Sequence, residues 1–500
     1  MKYNKLSKSQ LLEIGILFLL NIIICIFIYK LLRSDYNVKY VLKLMTFKEL
    51  RVLMGVYCLG SAILCGIYLS LKDTYFLFFK SYNKIRLLFF CTMLISILVM
   101  IILGYITHGE VIRSFLHIDR EDVFMDYYNS IQYGRKPYSR QVIYPPLINV
   151  FYSFLGRFCL MGGMEPRLFR VNQLASITFL FYTMAAYGFL FYALKKVSSD
   201  FFSKSETNLL FFLMLFSLPY LYLMERANSL IMVISLLILY CVLYDSYDSR
   251  YKYLAMIMLS IAASIKITPC LFGILFLRDK DISSALKCLF VGLLVFNIPF
   301  ILTDGNLLVL IDNIRNTTQA FQGVVIDEFG FKHYVGNGNY VNLGNTMTIL
   351  SRLLNYDFAG IGKFLNIFIF CASITITLFA KKVERWQIMA LLCGVIVLCP
   401  GFSAIYNLTY YTLPLVCFLG SKPRFSKKNV FYTLLLIMVF IPIINIKIPY
   451  LQYVSWTDIY PMRLSTIVES FSILILSVAI ILEILYKEFR GRFWERVKNE

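Results

Sequence analysis

The chain alternates long apolar runs with short polar intervals. Runs near the ~20 residues that a bilayer span requires lie at 11 to 30, 51 to 71, 87 to 106, 143 to 160, 171 to 194, 207 to 224, 227 to 244, 253 to 277, 283 to 303, 360 to 380, 386 to 400, 403 to 420, 429 to 446 and 467 to 487. Those at 143, 386 and 403 are the shortest. Backbone polar groups in lipid must be satisfied within each helix, so the pattern predicts an all-α, polytopic bundle of about 12 to 14 spans. Two polar intervals are long, 107 to 142 and 304 to 359, and the chain closes on a basic stretch, 487 to 500. There is no repeat, low-complexity tract or Ser/Gly linker, which predicts one integral membrane domain over 1 to 500.

Composition agrees with the pattern: 59% of residues are hydrophobic, 16% are charged, and the mean hydropathy is +0.70. The formal net charge of +20 sits in short Lys/Arg clusters at the ends of apolar runs, so anionic lipid, not nucleic acid, is the expected partner. Their density places both termini in the cytoplasm and the two long intervals outside, with "SKPRFSKK" (421 to 428) and the basic tail carrying most of the signal. The cysteines, among them Cys25, Cys58, Cys65, Cys91, Cys371 and Cys393, form no CxxC pair and read as small buried hydrophobes. The first run is long enough to span and has no small-residue cleavage site, so it reads as a retained helix. No P-loop or GxGxxG is present.

The stretch "DREDVFMDYYNSIQYGRKPYSRQVIYPPL" (119 to 147) gathers charge between two apolar runs. At 100° per residue, Asp122, Asp126, Asn129 and Tyr133 fall on one face, and Phe124, Tyr127, Tyr128 and Ile131 on another, which predicts an amphipathic helix on the outer membrane surface. Gly134 and Pro137 stop it. Helix capping and solvation account for Asp119 and Asp122 taken alone. Asp126 lies a further turn along, beyond the reach of capping, and Arg135, Lys136 and Arg140 follow at once. Carboxylates beside a phosphate-sized basic patch suit acid/base chemistry at a lipid phosphate.

These residues, with "ERANSLIMVISLLILYCVLY" (225 to 244) and "AASIKITPCLFGILFL" (262 to 277), resemble the GT-C superfamily of membrane glycosyltransferases, in particular glycosyltransferase family 87. The likeness lies in the loop acid, the aromatic helix, "G-x-x-PY", "YPPL", the Arg-x-Asn helix start and "A-x-x-K-x-x-P". Two features depart from the pattern: two spans precede the one that leads into the loop, where the family usually has one, and Ala227 stands where Gly is common. The resemblance implies transfer of a hexosyl, mannosyl-like, or pentosyl unit from a polyprenyl-phosphate donor to a glycan or glycolipid acceptor. This would take place at the outer face of a bacterial inner or plasma membrane. It implies no certain cofactor and leaves a divalent metal open. Matched to the family's loop, Asp122 is the expected base, and Asp126, the second catalytic carboxylate a turn later on the same face, is expected to hold the acceptor or sugar hydroxyls. Asp119, Asn129, Arg135, Lys136, Tyr138, Arg140, Tyr144 and Lys266 are expected at the substrates. Lys266 reads as a charge inside a span, facing a cavity or snorkelling to the interface.

Arg226 and Asn228 fall in a short cytoplasmic turn on this topology and receive a structural role. His108, His117 and His333 have no metal-ligand spacing. Asp312, Arg315 and His333 belong to the second loop and read first as solvated. A polysaccharide polymerase or ligase is the alternative, and it would favour a cation-rich late loop; a transporter would show two similar halves with interrupted helices. The first long loop carries the denser charge, and no such symmetry is present.

Overall fold

The computed structural model describes residues 83–106, 124–134, 136–160, 172–198, 201–246, 248–321, 324–326, 332–334, 340–354, 356–442, 447–455 and 458–499. Asp119, Asp122, Arg135, His108, His117 and the runs 11 to 30 and 51 to 71 lie outside them.

The described chain is a helix bundle. Its helices are α1 (Lys84–Ile106), α2 (Met125–Tyr133), α3 (Pro146–Leu160), α4 (Gln173–Ser198), α5 (Lys204–Leu215), α6 (Leu218–Arg226), α7 (Leu230–Tyr244) and α8 (Ser249–Ile265). There follow α9 (Ile274–Arg278), α10 (Ile282–Asn297), α11 (Leu307–Phe321), α12 (Leu343–Leu354), α13 (Ala359–Phe379), α14 (Arg385–Leu398), α15 (Thr412–Gly420), α16 (Lys427–Phe440) and α17 (Leu464–Asn499). Short 3₁₀ segments lead into α9 (Thr268–Gly273) and α15 (Ile405–Tyr411) and extend α10 (Ile298–Leu302). Two antiparallel hairpins, β1 (Val324–Ile326) with β2 (Lys332–Tyr334) and β3 (Lys447–Ser455) with β4 (Asp458–Arg463), lie between helices.

Among the described residues five helices are each long and apolar enough to cross a bilayer: Lys84–Ile106, Gln173–Val197, Ile282–Leu302, Ala359–Phe379 and Leu464–Phe489. The pair α5–α6 is long and apolar enough only when taken together, and is bent by 62°, where Pro219 enters the first turn of α6 and supplies no N–H to the preceding turn. A helix that is apolar all round belongs in the centre. α14 fits, with every residue from Trp386 to Leu398 buried, whereas α10 turns Leu286, Leu289, Phe290 and Leu293 outward, as a lipid-facing helix does. Cys159, Cys241, Cys288 and Cys393 are buried as expected, but Cys371 is exposed on α13.

Two sets of contacts define the two ends of the bundle. At one, buried Arg86 of α1 donates to the carbonyls of Leu419 (2.7 Å) and Phe201 (2.7 Å) and to Glu206 (3.0 Å). Glu206 also closes a capping box with Ser203 at the start of α5. At the other, the Phe124 N–H reaches the Glu225 carbonyl (2.8 Å) and Tyr138 N–H reaches Asp304 (3.1 Å).

This arrangement corrects the expected alternation twice. The run 143 to 160 does not cross. It forms α3, whose last turn joins the first turns of α4 through Asn172 Nδ2 to the Cys159 carbonyl (3.2 Å). α2 lies along its side so closely that a Cβ on Gly156 would stand 2.4 Å from the Ile131 carbonyl oxygen. Conversely, 253 to 277 is not one pass. α8 rises from Lys252, the chain reverses at Lys266 to Pro269, and it returns through α9 until Asp281 meets Lys252 (2.5 Å). One crossing is lost and one gained, so 304 to 359 still begins at the end that holds α2.

Candidate active site

α2 opens at Phe124, whose left-handed backbone (φ 56°) turns the chain under the end of α6 while its ring packs 4.4 Å from that of Phe179. The expected faces are observed. Tyr127 and Tyr128 are fully buried, with Tyr127 bonded to Thr178 (2.9 Å), while Asp126, Asn129 and Tyr133 lie on the partly open side. The helix is packed into the bundle rather than lying free on its surface. Burying tyrosines costs little only when their hydroxyls find partners, and Thr178 supplies one.

Asp126 is the centre of the site. Its Oδ1 accepts from Arg226 Nη2 at 2.9 Å and its Oδ2 from Asn228 Nδ2 at 2.6 Å. The side chains are only 27% (Arg226) and 11% (Asp126) exposed, so the pair is little screened by water. Asn228 does three things at once. Nδ2 also donates to Tyr144 Oη (3.1 Å), and Oδ1 accepts the Leu230 N–H (2.9 Å), capping α7. An amide suits that position because it carries both donor and acceptor. Ala227, between the two, is left-handed (φ 51°), which explains why the position favours glycine.

The expected placement of Arg226 and Asn228 at the end opposite the first long interval is therefore corrected: they stand on the loop acid. The cause is the run 143 to 160: read as a crossing, it puts residue 226 at the opposite end. The Arg-x-Asn pattern was the available signal.

Lys266 sits at the reversal between α8 and α9, in extended backbone (φ −147°), not inside a span. Its Nζ donates to Asn407 Oδ1 (3.1 Å) and lies 4.9 Å from the Tyr406 ring centre. It is within electrostatic reach of Asp126, as are Tyr144 and Tyr406. Asn407 is steadied by Ser403 (3.2 Å). Tyr406 and Asn407 lie in a run that reads as a span, and the cluster "YNLTYY" is the sequence signal they offer.

The following loop is fastened to the second long interval. Asp304 Oδ1 accepts from Tyr138 N–H (3.1 Å), and its Oδ2 from the Ser139 N–H (3.0 Å) and Oγ (2.7 Å). Burial pushes the Asp304 carboxyl up, but the Ser139 hydroxyl and these backbone amides outweigh it and hold the group below its ordinary value of 3.8. Tyr138 is buried, and its hydroxyl donates to the Tyr144 carbonyl (3.2 Å). Lys136 and Arg140 are exposed beside it. Asp312 and Arg315 point out from α11, whereas Asn313 between them is buried. His333 pairs with Val325 in the β1–β2 hairpin. Among the described residues no group of three or more His, Cys, Asp or Glu side chains is placed to hold a metal ion.

The structure thus brings Asp126, Tyr144 and Lys266 together with Arg226, Asn228, Tyr406 and Asn407. A carboxylate fixed by a guanidinium and an amide, near an ammonium, can organise hydroxyl groups and meet an anionic leaving group. No curated protein and no solved structure matches the chain. Residues 143–406 match the sequence pattern of glycosyltransferase family 87, a segment that holds Tyr144, Arg226, Asn228, Lys266, Asp304 and Tyr406. As the match spans more than half of the 500 residues and the chain is an apolar helix bundle, this is an integral membrane glycosyltransferase belonging to family 87.

Proposed function

We propose that the enzyme moves a hexosyl or pentosyl unit from a polyprenyl-phosphate donor to a hydroxyl of a glycan or glycolipid at the outer face of the membrane. The observation that carries this reading is the convergence of Asp126, Arg226, Asn228 and Lys266 at the end of the bundle where Lys136 and Arg140 are exposed. A carboxylate suited to a sugar hydroxyl and cations suited to a phosphate lie at one end of the bundle, which supports a lipid-phosphate donor.

In the proposed reaction the acceptor hydroxyl attacks the donor's C1 and forms the new C1–O bond. The old C1–O bond to phosphate breaks, and the lipid phosphate departs with the electron pair. Asp122 takes the hydroxyl proton. Asp126, with both oxygens already engaged, holds the acceptor geometry and is the weaker base. Lys266, Lys136, Arg135 and Arg140 receive the phosphate charge.

Incubating membranes that carry the protein with a panel of radiolabelled polyprenyl-phosphate sugars tests the donor class: one should be consumed. With that donor, Asp122→Asn should lower product formation by about 10²- to 10⁴-fold at normal protein level. Asp126→Asn should cost less, and Asp119→Asn least, since Asn caps a helix about as well as Asp. An active Asp122→Asn beside a dead Asp126→Asn would move the base one turn along. Full activity in all three variants would remove the first loop from the chemistry.

A further inference from the structure

The exposed cations Lys136 and Arg140 stand on a segment with little regular structure of its own: the single 3₁₀ turn Tyr138–Arg140 between α2 and α3. Its own bonds are those of a tight turn, with the Arg140 and Val142 N–H groups both donating to the Pro137 carbonyl (3.1 Å each). What ties that turn to the rest of the bundle comes largely from the chain 165 residues and more downstream. Asp304 accepts the amides of Tyr138 and Ser139 and the Ser139 hydroxyl. Asn313, buried on α11, donates Nδ2 to the carbonyls of Tyr138 (3.1 Å) and Val142 (3.3 Å). These two side chains take up donors and acceptors on both sides of the turn.

A steric observation points the same way. The Tyr138 ring lies against Gly305, where an added Cβ would stand 2.5 Å from Tyr138 Cδ2, and it packs 5.6 Å from the Phe300 ring. The connection continues inward. Tyr138 Oη reaches the Tyr144 carbonyl, which also receives Asn149 Nδ2 (2.9 Å), and Tyr144 Oη accepts from the Asn228 amide that grips Asp126.

We propose that Asp304 and Asn313 are positioning residues that latch the loop 136–142, so that Lys136 and Arg140 are held in register with the Asp126 centre to receive the donor's phosphate. This rests on the reading above that the loop cations meet a lipid phosphate. Neither latch residue touches the substrate; they act by keeping the cations where the phosphate arrives, which lowers the ordering cost of binding.

The test uses the full-length protein in nanodiscs and two probes, undecaprenyl phosphate and undecaprenol, which differ only in the charged headgroup. Asp304→Ala, Asn313→Ala and Gly305→Ala remove the latch in three different ways, two electronic and one steric. Each should weaken undecaprenyl phosphate about tenfold or more while undecaprenol binding and the thermal midpoint stay as in the wild type. Lys136→Ala with Arg140→Ala should do the same. If the double cation variant weakens the phosphate probe and the latch variants do not, the latch is refuted and the loop's role stands. If the cation variant binds the phosphate probe normally, the reading of the loop fails and the latch with it. Equal loss of both probes in the latch variants would reduce Asp304 and Asn313 to structural residues.

Discussion

A carboxylate that is both the acid of a loop and the partner of an arginine from another helix has its position decided by two distant parts of the chain. Asp126 and Arg226 are 100 residues apart, yet the ion pair is short and mostly shielded. Groups in one such network respond together, so their effects on function should not add. Asp126→Asn and Arg226→Gln should each lower the transferase rate, though less than Asp122→Asn does, and the double variant should be little worse than either. The coupling energy from initial rates should be about 1 to 3 kcal/mol; additive losses would show that the pair makes independent contributions. What the sequence disclosed at this scale was chemical type. Asp126 stood out because no cap explains it, and Lys266 because a charge in an apolar run is costly. Arg226 and Asn228 were just as visible, but their role depended on which end of the bundle they reach, and that is a property of the path between them.

At the scale of elements, the two faces of α2 were legible from a 100° period because its buried face, Tyr127, Tyr128 and Ile131, is contiguous and aromatic. The fate of α3 was not. Fifteen apolar residues satisfy a hydropathy window whether they cross or lie along a neighbour, and what decides it is the glycine contacts with α2, where two backbones meet. The turn at Lys266 was hidden for the converse reason: α8 and α9 together read as one run, interrupted only by Lys266 and Pro269. The loop latch was hidden too, since "TDGN" is an ordinary turn signal. It is nonetheless titratable. Because the folded Asp304 lies below its unfolded value, the protection it gives is complete above about pH 4 and is lost as pH falls through the depressed folded value. Hydrogen exchange at the Tyr138 and Ser139 amides, corrected for the intrinsic pH dependence, should show protection at neutral pH that fades under acid. In Asp304→Asn it should be weaker at neutral pH and insensitive to acid. Protection in the wild type that persists unchanged through the acid range would mean the carboxylate charge is not what holds the turn.

For the whole molecule, two local misreadings of the path cancel: the run 143 to 160 contributes no crossing and 253 to 277 contributes two passes. The interval 304 to 359 therefore still begins at the end that bears α2, although the ends of α4, α5, α6 and α7 exchange sides. That exchange is what the Asp126–Arg226 contact requires. With α3 counted as a crossing, Arg226 and Asp126 would be separated by the bilayer; with α3 folded against α2, the end bearing α2, α11 and Lys266 is one continuous surface, and the end bearing Arg86, Glu206 and Gly420 is the other. If lipid-linked donors are met outside, the first end faces out. Single cysteines at Asn316, exposed on α11, and at Arg424, exposed beyond α15, in a background lacking other reactive cysteines, report on this directly. An impermeant maleimide added to intact cells should label the first and spare the second. A third cysteine at Lys204, exposed at the start of α5, decides between the two paths. The fourteen-run alternation puts it outside with Asn316, whereas the observed bundle puts it inside with Arg424. Labelling of Lys204→Cys in intact cells would restore α3 as a crossing and break the site apart; protection until the membrane is permeabilised is the result that the Asp126–Arg226 contact demands.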